Sequence, residues 1–421
     1  MADPARRAAL DILTAALAQR AGLEAALEAP GLAGLAPQDR AFARALAMAT
    51  LRHLGPIDRA LEARLQRAPP EPITMILRLG VAQLFYLDTP AYAAVDASVA
   101  LADASRATQP FKGLVNAVLR RAGEAGPPPG DPDDLAPAWL FARWRAAYGE
   151  AQARAIAAVI PDEPATDLTP RDGGETAALA DALEAEILPG GSLRRVGRGR
   201  IEEWPGFAEG RWWVQDAAAA IPARVLAAAP GEAVLDLCAA PGGKALQLAA
   251  AGAKVTALDR SAARLARLRE SLQRTGLAAE VIAAPAETWK DERRFDAVLV
   301  DAPCSSTGTL RRNPDVLWTL RPGEIAKLAE VQARLLDAAA RRVLAGGRLV
   351  YCVCSLEGEE GEAQASAFLG RNADFEAAPI APGDGGSPQA SRTAEGWLRV
   401  LPHHLAGGLD GFFVARFRRL G

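Results

Sequence analysis

The sequence predicts a multidomain protein in which an all-α N-terminal domain precedes a large α/β domain. Three observations predict this fold class. The chain has 421 residues, 50% of them hydrophobic, which exceeds the length at which a single core usually stops growing. Apolar residues recur at three- and four-residue spacing from Ala5 to about residue 126, as in helices. From about residue 206, helical stretches alternate with continuous apolar runs, which is typical of a parallel sheet covered on both faces.

The all-α domain is expected to span residues 1–126. Its helical spacing is clear in DRAFARALAMATLRHL and ITMILRLGVAQLFYL, and prolines divide it into short helices. The stretch GEAGPPPGDPDD, at 123–134, is rich in Pro, Gly and acidic residues, which predicts an exposed linker at 127–137. Helical and short extended segments then predict a small α/β subdomain at 138–205. The remaining residues, 206–421, would form the large α/β domain.

The composition disfavours several classes of protein. The chain carries 48 basic and 51 acidic side chains, so no bulk field draws it onto nucleic acid, and RNA binding would need a local basic surface. Four cysteines without paired C-x-x-C spacing and three histidines predict no metal site. No signal-peptide h-region and no run of about 18 apolar residues is present, so we expect a cytoplasmic protein without membrane association.

The first apolar run of the large domain leads into DLCAAPGGKALQLAA, at 236–250. Gly242 and Gly243 let the backbone approach a ligand closely, and the next helix presents unpaired N–H groups at its N-terminus. The following run ends in Asp259, where an acid would hydrogen-bond ribose hydroxyls. A glycine pair alone is more typical of an ordinary βα turn, but together these features predict a nucleoside-containing cofactor. Neither G-x-G-x-x-G nor G-x-x-x-x-G-K-[ST] occurs, which favours S-adenosylmethionine over dinucleotides and ATP.

A second group of candidate residues follows two later apolar runs. Asp301 and Cys304 lie in LVDAPCSSTGTLRRNPDVLW, at 299–318, and Cys354 ends the run in LVYCVCSL, at 349–356. Because ligands bind at the carboxyl ends of strands in such sheets, two thiols and one carboxylate should converge on one cleft. A free cysteine in an apolar strand is usually inert, and we interpret Cys238 and Cys352 in that way. We therefore expect Cys352→Ala to leave activity largely intact.

This convergence suits methylation of a pyrimidine at carbon-5. Carbon-5 is a poor nucleophile until a thiolate adds to carbon-6 and makes carbon-5 enamine-like, able to attack the methyl group of a sulfonium donor. A carboxyl group hydrogen-bonded at N3 would stabilise the charge that develops. A second thiol, or a water that it activates, could help to remove the carbon-5 proton.

These stretches together resemble the bacterial RNA cytosine-5 methyltransferases, most closely the ribosomal small-subunit enzymes of the RsmB/Sun (Fmu) type, over nearly the whole chain. DLCAAPGGK looks like the family's cofactor loop, and VQDAAAA (214–220) like the block before it. DAPCSSTGTLRRNPDVLW is similar to motif IV, YCVCSLEGEEGE to the T-C-S motif VI, and LPHHLAGGLDGFFVARF to the closing strand pair. FKGLVNAVLRR (111–121) is similar to part of the NusB-like RNA-binding domain of this subfamily. The resemblance implies a Rossmann-like methyltransferase domain preceded by an RRM-like subdomain.

The resemblance also implies a role for each candidate residue. Cys354 would be the nucleophile, Cys304 would help to release the product, and Asp301 would lie against the methionine part of the cofactor and the target base. Asp259 would hold the ribose of S-adenosylmethionine. The loop that would wrap the cofactor consists of Cys238, Ala239, Ala240, Pro241, Gly242, Gly243 and Lys244.

Two positions depart from the family's pattern. Val353 replaces the usual Thr before the nucleophile, which we interpret as tolerable packing. Pro285 stands where relatives carry an acid near the adenine, which predicts somewhat weaker cofactor binding.

The resulting hypothesis is an S-adenosylmethionine-dependent enzyme that methylates carbon-5 of a specific cytosine in small-subunit (16S) rRNA. Because the base must be flipped out to reach the thiol, protein-free or early-assembly RNA is the expected substrate, rather than the assembled subunit, and a monomer is the expected state. The alternative is the same chemistry on tRNA or another RNA. A non-catalytic NusB-like RNA-binding or antitermination module is the alternative from a different class. It is disfavoured because a binding protein needs none of Asp301, Cys304 and Cys354.

Overall fold

The computed structural model describes residues 3–20, 22–197 and 199–421, which form two compact units. The first unit comprises the described residues up to Glu163 together with Leu310–Leu320. The second comprises Pro164–Thr309 and Arg321–Gly421. The expected linker at 127–137 and the helices that directly follow it therefore lie within the first unit.

The first unit is a bundle of helices, as the three- and four-residue spacing of apolar side chains predicts. Its core lies among helices α1, α4, α6 and α8, which contribute the fully buried Leu13, Leu46, Leu77 and Leu119. Prolines begin several of the helices, because the fixed φ of Pro suits the first helical turn and its missing N–H has no partner there. The helices are α1 (Pro4–Leu13, followed by a π-helical turn at Thr14–Ala18), α2 (Leu23–Leu27), α3 (Pro30–Ala33), α4 (Pro37–Arg52), α5 (Leu54–Glu62), α6 (Glu71–Phe85), α7 (Ala91–Asp103), α8 (Lys112–Ala125), α9 (Ala138–Tyr148) and α10 (Glu150–Ala158).

The second unit begins with a small antiparallel sheet and one helix. The strands are β1 (Thr166–Pro170), β2 (Glu186–Ile187), β3 (Leu193–Arg195) and β4 (Trp212–Val214), in the order β2-β3-β1-β4, and the helix is α11 (Thr176–Leu183). A buried ion pair joins β3 to β1, since Nε and Nη2 of Arg194 donate to the Asp167 carboxylate at 2.7 and 2.8 Å. The same two side chains bond the Ala217 N–H and the Gly408 carbonyl, which ties the small sheet to the rest of the unit.

A larger mixed sheet with flanking helices forms the rest of the second unit. The continuous apolar runs that follow residue 206 in the sequence are strands in it, which confirms the predicted α/β fold. Neighbouring strands follow the order β10-β12-β9-β8-β5-β6-β7, with β11 paired to β12. The elements are α12 (Ala217–Leu226), β5 (Ala233–Leu237), α13 (Gly243–Ala250), β6 (Lys254–Asp259), α14 (Ala262–Thr275), β7 (Glu280–Ala283), β8 (Phe295–Asp301), α15 (Asp315–Thr319), α16 (Pro322–Ala340), β9 (Val343–Val353), α17 (Glu362–Arg371), β10 (Phe375–Ala377), β11 (Leu398–Val400) and β12 (Phe412–Arg419).

The sheet is parallel only from β7 to β9. Strand β12 runs antiparallel to β9, and β10 and β11 run antiparallel to β12. A continuous apolar run shows that both faces of a strand are covered, but it does not show the strand's direction, so the sequence pattern did not predict this edge. Among the described residues, no helix is long and apolar enough to cross a membrane.

The stretch at 299–318 is divided between the two units, because Leu310–Leu320 belongs to the first unit. The buried Asp315 carboxylate of α15 accepts the Leu23 N–H at 2.9 Å, and the Arg20 guanidinium donates to the Thr319 carbonyl. Only the part of the motif up to Thr309 therefore lies in the unit that contains the sheet.

Candidate active site

A cavity of about 470 Å³ opens at the carboxyl ends of β5, β6, β8 and β9 in the second unit. This volume is typical of small-ligand sites. Leu258, Val331 and Leu335 give it apolar walls. Several residues that the sequence predicted for the site line this cavity: Cys238, Ala240, Asp259, Asp301, Cys304 and Cys354.

The two predicted thiols lie side by side, with 3.5 Å between the Sγ atoms of Cys304 and Cys354. They come from the loops after β8 and β9, which are joined where the Gly308 N–H donates to the Cys354 carbonyl at 3.0 Å. Only glycine fits at 308, because a Cβ there would lie 2.0 Å from the Gly411 carbonyl oxygen. The structure thus brings together two cysteines that are separated by fifty positions in the chain.

The thiol pair is electrostatically asymmetric. The hydrogen bond from Cys304 lowers the pKa of the Cys354 thiol below its ordinary value, although burial opposes this effect. The same bond, together with burial, raises the pKa of Cys304 well above its ordinary value. The shared proton therefore stays on Cys304, and Cys354 is the thiol that ionises first. A low-pKa thiol is the reactive one of such a pair.

The two remaining cysteines have the opposite environment. Burial raises the pKa of Cys238 and of Cys352, with further repulsion from nearby carboxylates. Both thiols are therefore held in the protonated, unreactive form. Cys352 does make one contact that the sequence did not predict, since its Sγ donates to Oδ1 of Asp301 at 3.4 Å.

Asp301 forms an ion pair with Lys244, whose Nζ lies 2.7 Å from Oδ2. Lys244 sits in the first turn of α13 and is 8% exposed. Burial lowers the pKa of this lysine, but attraction to Asp301, Cys352 and Cys354 together outweighs burial and leaves the pKa above its ordinary value. The ammonium of Lys244, a residue that was expected to contact the cofactor, lies against the candidate catalytic carboxylate.

Asp259 braces the predicted cofactor loop. Its two carboxylate oxygens accept the N–H groups of Ala240, at 3.2 Å, and of Ser261, at 2.8 Å. Each carboxylate oxygen can accept a further hydrogen bond, so the group can also receive ribose hydroxyls. An acceptor of this kind beside apolar walls fits the nucleoside part of S-adenosylmethionine. Pro285 lines the same cavity, and so does Glu287, an acid two positions further on that the sequence reasoning missed.

The other residues of the 238–244 loop are placed by packing within the protein. A Cβ at Gly242 would lie 2.4 Å from Cδ1 of Leu268, and a Cβ at Gly243 would crowd the Gln215 side chain. The left-handed φ of Gly242, +119°, favours glycine there, and a Cβ at either position would require a neighbouring side chain to shift. Of the loop residues, Ala239, Pro241, Gly242, Gly243 and Lys244 are not among those that line the cavity.

A further buried acid, Asp236, lies in β5 behind the site and was not predicted. Burial first, and then repulsion by Asp301, raises the pKa of Asp236 to about 8. Within the described ranges, neither of its oxygens has a hydrogen-bond partner. An acid inside the apolar run AVLDLC was the available signal. No group of three or more His, Cys, Asp or Glu side chains able to hold a metal is found in the described part of the chain.

Two family models match the chain. The model described as 16S rRNA methyltransferase RsmB/F matches residues 223–418, and the model of the NusB family matches residues 3–124. The first match contains the candidate cavity, and the second covers the helices α1 to α8.

Similar proteins and solved structures match over most of the chain. Ribosomal RNA small subunit methyltransferase B of Xanthomonas campestris pv. campestris is 41% identical, covering 89% of this chain and 90% of that protein. The protein of the same name from Pseudomonas putida is 37% identical, covering 99% of this chain and 98% of that protein. The crystal structure of PH0851 aligns over 100% of this chain and 99% of that chain, with 25% identity and a TM-score of 0.78. A methyltransferase homologue from Pyrococcus horikoshii aligns over 67% of this chain and 95% of that chain, with 25% identity and a TM-score of 0.56.

Proposed function

The chain belongs to the 16S rRNA methyltransferase RsmB/F family, and on that premise we propose that it methylates carbon-5 of a specific cytosine through a covalent adduct of Cys354 with carbon-6. Membership makes the protein an rRNA methyltransferase that uses S-adenosylmethionine. The position of the methylated atom and the covalent step belong to the proposal. The observation that carries them is the Cys304–Cys354 pair, because methyl transfer to a more nucleophilic atom would need no thiol at all.

Cys354 begins the proposed reaction. Its thiolate adds to carbon-6 of the cytosine, and the electron pair of the 5,6 double bond makes carbon-5 nucleophilic. When bound, S-adenosylmethionine supplies the methyl group on a positively charged sulfur that carbon-5 attacks. Asp301 lines the cavity while Lys244 does not, so Asp301 is the member of that ion pair that the base can reach. Hydrogen-bonded at N3, the Asp301 carboxyl group would stabilise the charge that develops on the ring.

Cys304 completes the cycle. While Cys354 is bonded to carbon-6, it no longer makes the hydrogen bond that is the main cause of the raised pKa of Cys304. Cys304 then gives its proton to solvent, and this thiolate, or a water that it orients, removes the carbon-5 proton. The electron pair of the broken C–H bond re-forms the 5,6 double bond and expels Cys354 as a thiolate. The released products are the 5-methylated base and the demethylated cofactor.

We place the target in small-subunit rRNA that is free of protein or early in assembly, because flipping a base out requires access to unpaired RNA. The NusB-family match over the helical unit supports an RNA contact outside the catalytic unit. The same chemistry on tRNA or another RNA is the alternative. Bisulfite mapping of RNA from cells that lack the protein distinguishes them: loss of one rRNA 5-methylcytosine is expected, and full methylation of rRNA would refute this target.

A trapping experiment tests the covalent step. RNA that contains 5-fluorocytidine, incubated with the protein and S-adenosylmethionine, should give a protein–RNA complex that survives denaturation. Fluorine replaces the carbon-5 hydrogen that a base must remove before Cys354 can be expelled. Cys354→Ala should abolish the complex. Cys352→Ala, which removes the neighbouring thiol on the same strand, is the matched control and should still form it. A complex that persists in Cys354→Ala would overturn the assignment of the nucleophile.

A further inference from the structure

The carboxylate of Glu360 lies between the two loops that carry the candidate catalytic thiols. This side chain is 0% exposed. Its Oε1 accepts the N–H of Ser305 at 2.9 Å, and its Oε2 accepts the hydroxyls of Ser305 and Ser355, both at 2.5 Å. Ser305 directly follows Cys304, and Ser355 directly follows Cys354. One buried carboxylate therefore holds the residues next to both thiols.

Rigid elements fix Glu360 itself. Gln332 of α16 donates from Nε2 to Oε1 of Glu360 and to the Pro303 carbonyl, both at 3.0 Å. Tyr351 of β9 donates its hydroxyl to the Glu360 backbone carbonyl at 2.6 Å. Because a helix and a central strand both anchor the carboxylate, it can serve as a fixed point for the two loops.

From this geometry we propose that Glu360 is a positioning residue that sets the separation of Cys304 and Cys354; the inference rests on the function proposed above. Glu360 does not line the cavity, so it acts through the two serines. The thiol contact of 3.5 Å is an ordinary length for a hydrogen bond between two sulfur atoms, and it depends on the positions of both loops. Losing this contact would remove both the hydrogen bond that favours the thiolate of Cys354 and the alignment of Cys304 with the carbon-5 proton.

The arrangement predicts that variants of the two serines slow different steps of the reaction, which general destabilisation of the protein would not produce. Ser355 holds the nucleophile loop, so Ser355→Ala should slow formation of the adduct. Ser305 holds the loop of the releasing thiol, so Ser305→Ala should allow addition and slow release, and an adduct with ordinary cytosine should accumulate. Ser391→Ala is the matched control, because Ser391 is also buried in the second unit and, among the described contacts, its hydroxyl donates only to the nearby Pro388 carbonyl.

Variants of Glu360 give the second readout. Glu360→Ala removes the shared acceptor, and a displacement of reacting groups by about 1 Å can cost about 100-fold in kcat. Glu360→Gln keeps the size of the side chain, and its amide oxygen can still accept the Ser305 N–H, so it should restore a large part of kcat. The KM for S-adenosylmethionine should stay unchanged in both variants, because Asp259 and the 238–244 loop make no hydrogen bond to Glu360 among the described contacts.

Single-turnover kinetics and denaturing gels on the full chain, with target RNA of both ordinary cytidine and 5-fluorocytidine, test the inference. The wild-type protein must form the adduct; if it does not, the proposed function fails. If the wild-type protein does and Glu360→Ala keeps the wild-type kcat, or both serine variants behave like Ser391→Ala, the positioning role is refuted. If Glu360→Ala fails to bind the cofactor or to melt cooperatively, the serine variants test the positioning role instead: it predicts slow adduct formation in Ser355→Ala and adduct accumulation in Ser305→Ala.

Discussion

The hydrogen bond between the two thiols makes a quantitative prediction for Cys304→Ala. This substitution removes the S–H group that lies 3.5 Å from Cys354 and is the main cause of the lowered pKa of that thiol. Hydrogen bonds to charged groups contribute about 1.5–3 kcal/mol, and the low end applies because S–H is a weak donor. At about 1.4 kcal/mol per factor of ten, the acid dissociation constant of the Cys354 thiol should fall about tenfold, which raises its pKa.

Alkylation by iodoacetamide measures this population without RNA or cofactor. The rate at Cys354, followed by mass spectrometry of the peptide that contains it, should be about tenfold slower in Cys304→Ala at pH values below the pKa of the wild-type thiol. Because only the thiolate reacts, the rate rises as pH increases through the pKa. Removing a bond that lowers this pKa therefore moves the rise to higher pH. Cys304→Ser, which keeps a hydroxyl donor, should show a smaller effect. An unchanged rate and pH profile in Cys304→Ala would refute the shared-proton interpretation.

Three further substitutions test other parts of the second unit. Asp236→Asn should remove a pH dependence of stability, because the native pKa of about 8 exceeds the ordinary value of 3.8 and the folded state therefore binds more protons between these values. Wild-type stability should fall as pH rises from about 4 to about 8. Urea unfolding at several pH values checks this, and the same slope in the variant would contradict it. Asp167→Asn breaks the buried ion pair with Arg194 and should lower the free energy of unfolding by about 3–5 kcal/mol. A free energy of unfolding equal to that of the wild type would show that the pair is dispensable. Asp259→Asn replaces a charged acceptor and should weaken S-adenosylmethionine binding about tenfold by calorimetry, and an unchanged Kd would exclude it from the cofactor site.

The sequence predicted the two fold classes and every main strand of the large sheet, because these depend on short-range periodicity. The runs AVLDLCAA and FDAVLVDAP, for example, become β5 and β8, and each leads into a loop that reaches the cavity. Asp301, Cys304 and Cys354 were expected at one cleft for a simple reason. Parallel strands bring their carboxyl ends to the same edge of a sheet.

Other parts of the site could not be predicted, since they depend on contacts between distant segments. The ion pair of Lys244 with Asp301 joins residues 57 positions apart in the chain. The close approach of Leu268 to Gly242 likewise depends on the packing of a helix that follows the loop in the chain. Residues 310–320 looked like a continuation of the catalytic motif, yet they pack with the helical unit.

The cysteines of LVYCVCSL show the same division between local and long-range information. Residue types and strand periodicity were enough to place Cys352 and Cys354 at the end of one strand, because side-chain alternation and apolar runs are local properties. Their different environments come from tertiary structure. Cys352 is enclosed in the core, where burial keeps it protonated, whereas Cys354 lies just past the last residue of β9 and meets Cys304 at 3.5 Å. Because the pKa of a thiol depends on burial and on its neighbours, only the folded chain decides which of the two is reactive.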